Sequence, residues 1–345
     1  MSQANRVDCS FEEMRHKISA TLMGVGVPEA DAAILTDTFI DAEVTGVESH
    51  GIIRSKAYVD RIVRGSMDPT GAIELDVRGN IVHVNANNGF GQIASVRAIE
   101  KCVELAKEHG IAAAGIYNSN HFGAAAYYSN LIAEQGCFGI VASDCAPAVA
   151  PFGGKKAVLG TNPIGISFPA RDQTFCIDMS TSNVAKGKIR IYGRKGLKIP
   201  FGWAVDKEGN DTDDPWAALD GGCLLPIGGH KGYGLGLVVD ALSGLLTTAG
   251  LSYQTTSLIK PDGLSNYGHF LIVIDINHFL PLDDFKNRAQ DWFNMIKGME
   301  ARPGMKIMIP GEPEDMARAN ATQLNLMAST MDIINEYYEK YAKKD

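Results

Sequence analysis

Three histidines stand in strings of small and polar residues that suit reacting groups better than a packed core. In Ser49-His50-Gly51-Ile52-Ile53-Arg54 an imidazole and a guanidinium are four residues apart, so a helical turn would set them on one face. That pair suits a substrate with a carboxylate next to a reacting C–O bond. Arginine grips the carboxylate through two hydrogen bonds, and histidine moves the hydroxyl proton near neutral pH. Tyr58 falls one turn further along the same face. A capped helix start with a solvated histidine would use the same residues. The second string, Asn118-Ser119-Asn120-His121-Phe122-Gly123, joins a predicted strand to a predicted helix. Strand ends of this kind carry sites in α/β proteins, and His121 could partner His50 as a second acid/base or as an electrophile. The third is Gly228-Gly229-His230-Lys231-Gly232-Tyr233-Gly234, ahead of an apolar helix. Bare backbone N–H groups, a helix N-terminus and Lys231 have the logic of a diphosphate cradle. The string lacks the G-x-x-x-x-G-K-[ST] pattern, and a tight packing turn fits it as well.

Two further strings are rich in glycine and hydroxyls. Gly160-Thr161-Asn162-Pro163 reads as a turn, and Asp178-Met179-Ser180-Thr181-Ser182 follows a strand and precedes Lys186-Gly187-Lys188. Hydroxyls and N–H groups at a strand end can hold phosphate or ribose. Met179 would lie against a nicotinamide or belong to the core. No H-x-H or H-x-x-x-H spacing occurs among the eight histidines, so no metal site is expected. Gly89-Phe90-Gly91-Gln92-Ile93-Ala94 fits G-x-G-x-x-G/A between a strand and a helix. Its strand is the second arm of a hairpin, hence antiparallel to its neighbour, and the acid expected about 20 residues on is absent. The Rossmann reading is therefore set aside.

These strings need a scaffold. Ser10-Phe11-Glu12-Glu13 reads as a capping box, with Met14, Ile18 and Leu22 following at helical spacing. A second helix is predicted from Pro28 to Gly46 and a third from Ser55 to Gly65. The pattern then alternates over 72–77 and 81–85 around Arg78-Gly79-Asn80, a hairpin. Helices over 92–109 and 124–135 alternate with strands over 111–117 and 138–142. Further strands follow near 165–168, 174–177 and 271–276, then helices over 284–295 and 327–341. The division expected is a helical domain of residues 1–70 with 300–345, and a mixed α/β region over 71–299 that binds cofactor and substrate.

The balance of 32 basic and 40 acidic residues gives a charge of −8, without the electrostatic footprint of a nucleic-acid binder. The 37 glycines follow no G-X-Y period, and 45% of residues are hydrophobic, which excludes fibrous and low-complexity chains. Six cysteines without a C-x-x-C pair point to a reducing, cytoplasmic protein. Met1–Asp8 shows no apolar leader core. The apolar run Gly232–Gly250 carries Asp240, Ser243, Thr247 and Thr248, so it reads as a buried core helix and not as a membrane span.

In order along the chain stand Ser49-His50-Gly51, Asn88-Gly89-Phe90-Gly91-Gln92, Asn120-His121-Phe122-Gly123, Gly160-Thr161-Asn162-Pro163, Asp178-Met179-Ser180-Thr181 and Lys231-Gly232-Tyr233-Gly234. The set resembles the malate/L-lactate dehydrogenase family of the second type, over nearly the whole length. The resemblance implies an α/β, non-Rossmann fold of three α/β/α layers around a large mixed sheet, with a helical domain built from both chain ends. It also implies a homodimer, and hydride transfer between NAD or NADP and a small 2-hydroxy/2-oxo acid. Alternatives within reach are reduction of a cyclic imine carboxylate and a non-catalytic ligand-binding relative. By the same resemblance the cofactor would lie along Cys176, Ile177, Asp178, Met179, Ser180, Thr181 and Ser182, with Lys231, Gly232, Pro310, Gly311 and Glu312. Thr161 and Asn162 would be near the nicotinamide. The proton-handling residue would be His50 or His121, and Ser49, Arg54 and Tyr58 would face the substrate. Two departures stand out. The family often has Ala-Arg-Gly-Lys where this chain has Ala185-Lys186-Gly187-Lys188, which loses the guanidinium fork. Cys145 takes a place that is often a small polar residue.

Overall fold

The computed structural model describes residues 5–343; Met1–Ala4, the start of the stretch read for a leader, lie outside them. The chain opens with strand β1 (Arg6–Cys9), then α1 (Phe11–Gly24), α2 (Glu29–Val44) and α3 (Ser55–Val63). Ser10 caps α1, its hydroxyl accepting the Glu13 N–H at 3.0 Å. The predicted box is only half formed, because the Glu13 carboxylate pairs with Lys17 one turn on, at 2.6 Å.

The middle contains β2 (Glu74–Arg78), β3 (Ile81–Asn85), α4 (Gly91–His109), β4 (Ile111–Ser119), α5 (Ala125–Glu134), β5 (Cys137–Ser143), β6 (Ile164–Pro169) and β7 (Thr174–Met179). After it come α6 (Lys186–Arg194), β8 (Ala204–Val205), α7 (Pro215–Leu219), β9 (Cys223–Leu224), α8 (His230–Asp240) and β10 (Tyr267–Asp275). The chain ends with α9 (Leu282–Lys297), α10 (Glu312–Asn320), β11 (Leu324–Met327) and α11 (Ala328–Tyr337).

Seven strands form one mixed sheet in the order β2-β3-β4-β10-β5-β6-β7. Alternation decides what each face buries. Ala112, Ala114 and Ile116 of β4, with Cys137 and Val141 of β5, meet α4 and α5 on one side. Phe138, Phe168 and Phe175 meet Phe293 of α9 on the other. On that second face the π-helical turn Ala241–Leu245 after α8 crosses so close to β10 that a Cβ on Gly268 would lie 1.7 Å from the Ser243 carbonyl oxygen. Only glycine leaves room for that backbone approach.

The end helices share a separate core. Met14, Ile18, Leu35, Phe39, Ile52 and Tyr58 pack with Leu324, Leu326, Ile334 and Tyr337. The joint between the two chain ends includes an antiparallel pair, β1 with β11, that the sequence reading passed over. Four residues at each end are too few to show an alternating pattern.

Two expectations change. The hairpin β2–β3 is present, but β3 also runs parallel to β4 on its other side, so β3-α4-β4 is a parallel crossover unit. Its glycine fingerprint still leaves no room for a diphosphate. A Cβ on Gly91 would lie 2.3 Å from the Asn120 carbonyl oxygen and 2.7 Å from His269 Nε2, so protein already covers that helix start. The apolar run after Lys231 is not buried all round. Leu235, Leu237, Val238, Leu245 and Leu246 are exposed, while Val239 and Asp240 are buried. No helix among the described residues is long and apolar enough to cross a membrane.

Candidate active site

A cleft of about 930 Å³ opens between the end helices and the sheet. Ser49, His50 and Arg54 reach it from the lead-in to α3. That lead-in is two 3₁₀ turns, Glu48–His50 and Ile52–Arg54, and not the single helical turn that the spacing suggested. Gly51 between them is extended. Half-buried beneath it, Glu43 Oε2 accepts the Ile52 N–H at 3.1 Å. Arg54 Nε donates to the Ser49 carbonyl, which folds the guanidinium back over the turn.

His121 enters from the loop after β4. Its ring stacks on that of His50, with centroids 5.4 Å apart and planes 17° apart. Burial and the Arg54 charge hold the His50 imidazole down at about 4. Burial, with His50 and Arg54 nearby, holds His121 well below the ordinary histidine range. Both rings are therefore neutral at pH 7. His121 Nδ1 accepts the Gly123 N–H at 3.2 Å, which assigns the ring proton to Nε2. His50 Nδ1 lies 2.9 Å from the Ser49 hydroxyl, a partner that serves either tautomer.

Tyr58, expected to face the substrate, stands behind His121 instead. Its hydroxyl lies 2.8 Å from His121 Nδ1 and accepts from Gln92 Nε2 at 2.8 Å. The physical reason is its helix, which packs into the end-helix core and buries the whole ring. Asn120 Nδ2 donates to the carbonyls of Asn88 (2.8 Å) and Gly89 (2.9 Å), so the Asn88-Gly89 string holds the residue just before His121.

A residue missed in the sequence completes this corner. His269 on β10 stacks on Phe122 with centroids 4.5 Å apart. It contacts Ser119 Oγ at 3.0 Å, Ser143 Oγ at 2.8 Å and the Asn120 carbonyl at 3.1 Å. Burial pushes its imidazole down to about 3. The available signal was a lone histidine in an otherwise apolar strand.

The wall opposite is β7 and its continuation. Cys176, Asp178 and Ser180 line the cleft, as the two-residue strand period requires, whereas Ile177 and Met179 do not. The Asp178 carboxylate accepts the Ala126 N–H at 2.9 Å, at the start of α5. Thr161 lines the cleft, and its carbonyl accepts the Thr181 N–H at 2.8 Å. Asn162 is fully buried and turned away. It donates to Asp240 Oδ1 (2.9 Å) and the Gly236 carbonyl (3.0 Å), and accepts from the Cys145 N–H (3.1 Å). Ser182 is buried, and its hydroxyl donates to the Val184 carbonyl at 2.9 Å.

Lys231, Gly232, Pro310, Gly311 and Glu312 do not line the cleft. Lys231 is exposed, and Gly232 is pressed against Ile227, whose N–H donates to the Thr181 carbonyl at 2.9 Å. The Pro310 carbonyl accepts the Cys176 N–H at 3.1 Å, and Gly311 lies against the same strand. Glu312 faces away, paired with Lys297 at 2.9 Å. Lys186 lines the cleft, but Lys188 sits over the Trp203 ring at 5.3 Å. Arg190 and Lys260, which the sequence reading did not single out, also line it. Among the described residues, none of Arg54, Lys186, Arg190 or Lys260 has an ion-pair partner, so the cleft presents unbalanced positive charge to an anionic ligand. No group of three metal-binding side chains occurs among the described residues.

Comparison with known proteins gives a single answer. The chain is 41% identical to a malate dehydrogenase of Pyrococcus horikoshii over 304 residues, covering 86% of this chain and 84% of that one. Its fold matches the solved structure of a sulfolactate dehydrogenase from Methanocaldococcus jannaschii with a TM-score of 0.92 at 35% identity, over 98% and 100% of the two chains. It matches a Δ1-piperideine-2-carboxylate reductase of Pseudomonas syringae pv. tomato with a TM-score of 0.88 at 28% identity, over 96% and 99%. The model of the malate/L-lactate dehydrogenase family matches residues 9–331, and the chain belongs to that family.

Proposed function

We propose that the protein is an oxidoreductase that transfers a hydride between NAD or NADP and a small 2-hydroxy/2-oxo acid. The observation that carries this reading is the stacked, neutral His50–His121 pair in one cleft beside Arg54, which has no ion-pair partner among the described residues. A cofactor of this size fits the cleft, whose far wall offers alternate residues of β7 and the hydroxyls of Thr161 and Ser180. The nicotinamide supplies the hydride chemistry when bound. Lys231, exposed beside the Thr181 strand end, takes phosphate at the outer edge, and Gly232, Asn162 and Pro310–Glu312 brace the wall from behind.

The protein's own work is placement and proton handling. Arg54 holds the carboxylate, with Lys186 and Arg190 on the same side. His121 donates its Nε2 hydrogen to the substrate oxygen, held in that tautomer by Gly123. His50 exchanges the proton through Nε2, with Ser49 serving either tautomer at Nδ1. Malate and sulfolactate, named in the relatives, are both 2-hydroxy acids. The similarity to a cyclic imine reductase supports a second reading, in which the same pair protonates a ring nitrogen.

Two finer readings accompany this one. The exposed apolar face of Leu235, Leu237, Val238, Leu245 and Leu246 supports a homodimer that covers it. Six free cysteines support a cytoplasmic setting. The test of function is oxidation of NADH and NADPH by the purified chain over a panel of pyruvate, oxaloacetate, sulfopyruvate and a cyclic imine carboxylate. Turnover with at least one 2-oxo acid is expected. No oxidation of either cofactor by any of them would overturn the reading, and turnover of the imine alone would favour the second.

A further inference from the structure

Among the described residues, eight buried side-chain nitrogen or oxygen atoms make no hydrogen bond within the protein. Seven belong to residues that do not line the cleft. The eighth is Oδ2 of Asp144, at the end of β5, and Asp144 is a cleft-lining residue. The residue is 1% exposed. Its other oxygen, Oδ1, accepts the Gly268 N–H at 2.9 Å. That bond fixes the carboxyl plane and leaves Oδ2 as the atom without a partner.

The surroundings decide which protonation state Oδ2 presents. None of the cleft's cations pairs with Asp144, and the buried carboxyl of Asp240 lies in the same region. Burial, with Asp240 adding to it against the Gly268 N–H, holds the Asp144 carboxyl well above the ordinary carboxylate range. A neutral carboxyl whose Oδ1 receives an N–H carries its proton on Oδ2. A buried O–H with nothing to donate to costs about 1–3 kcal/mol, and a ligand acceptor would remove that cost.

We propose that Asp144 is a ligand-positioning residue whose Oδ2–H donates a hydrogen bond to a carbonyl oxygen of the bound ligand. Two sources present that chemistry here: the carboxamide of the nicotinamide and the acid group of the substrate. The inference rests on the reading that both occupy this cleft. It differs from a purely structural role, which Oδ1 alone would fill and which would not alter ligand affinity.

The experiment separates the two sources. NADH binding is measured by its fluorescence, and oxamate binding to the protein–NADH complex by calorimetry. Asp144→Asn keeps a neutral donor and is expected to lose no more than threefold in either affinity. Asp144→Leu keeps the size and removes the donor. A tenfold or larger loss in NADH affinity assigns the bond to the cofactor, and the same loss confined to oxamate assigns it to the substrate. Asp144→Ser, too short to reach, repeats the measurement should leucine prevent folding, and thermal unfolding of each variant reports the fold. Leucine and serine variants that fold and bind both ligands as the parent does would overturn the proposal, as would an asparagine variant as impaired as the leucine one. Should the parent bind neither NADH nor NADPH, the functional reading falls with it, an outcome distinct from unchanged affinity in the variants.

Discussion

The His50–His121 corner and the Gly228–Gly234 turn look alike as strings: glycines, a histidine and a cation. They are built in opposite ways. In the corner the polar side chains are anchored from behind, His121 by Tyr58 and Gly123, Asn120 by Asn88 and Gly89, and the loop carbonyl by His269. In the turn the glycines serve backbone contact, with Gly232 pressed on Ile227, while Lys231 stands exposed with no ion-pair partner among the described residues. Side chains over-determined by their neighbours can fix a reacting geometry, whereas one flexible lysine supplies charge. The corner should therefore govern turnover, and the turn should govern affinity.

The strongest way to break that contrast is to remove the imidazoles. His50→Ala and His121→Ala are each expected to lower kcat by roughly 10²–10⁴-fold, with NADH affinity within about threefold, read from steady-state kinetics and fluorescence titration. Unchanged kcat in both would end the assignment. Next comes Arg54→Leu, expected to raise KM for the 2-oxo acid by roughly tenfold or more, since charge-assisted bonds are among the strong ones. An equal rise in cofactor KM would move Arg54 to the cofactor side.

The corner should also show itself in acid. Unfolded imidazoles take up protons near pH 6.5, whereas His50 and His269 in the fold resist until about 4 and about 3. Between those values these two imidazoles bind more protons in the unfolded chain than in the fold. The stabilising contribution is therefore complete above pH 6.5 and is lost as the pH falls through this window. His269→Gln should therefore lose less of its melting midpoint between pH 6.5 and 4 than the parent does. A slope unchanged in the variant would remove His269 from the account. The smallest effect belongs to Lys231→Ala, expected to raise cofactor KM about three- to tenfold with kcat nearly constant. A loss in kcat as large as that of the histidine variants would erase the contrast.

Much of this was legible in the sequence. Strands and helices of the middle follow their periods to within a few residues, because each buries one face against a neighbour. His50, Arg54 and His121 were legible because small residues around a polar side chain are poor core material. What escaped depended on tertiary neighbours. Tyr58 shares the helical register of Arg54, yet its α3 face turns into the core. His269 hides in an apolar strand, and Asp144 gains its interest only from an oxygen that nothing meets. The parallel β3–β4 pairing was obscured because the hairpin shows just one neighbour of β3.

The pairing of β1 with β11 has a consequence in time. Arg6 and Asn325 touch across 319 positions of chain, and the core beneath His50 includes Leu326 and Tyr337. During synthesis the first three helices leave the ribosome without the surface that completes them. The sheet can form while they wait, but the His50 platform closes only when the last stretch is released. Long-range closure of this kind slows folding. It also leaves apolar helix faces open meanwhile, so the nascent chain depends on whatever shields its N-terminal part until its C-terminal part arrives.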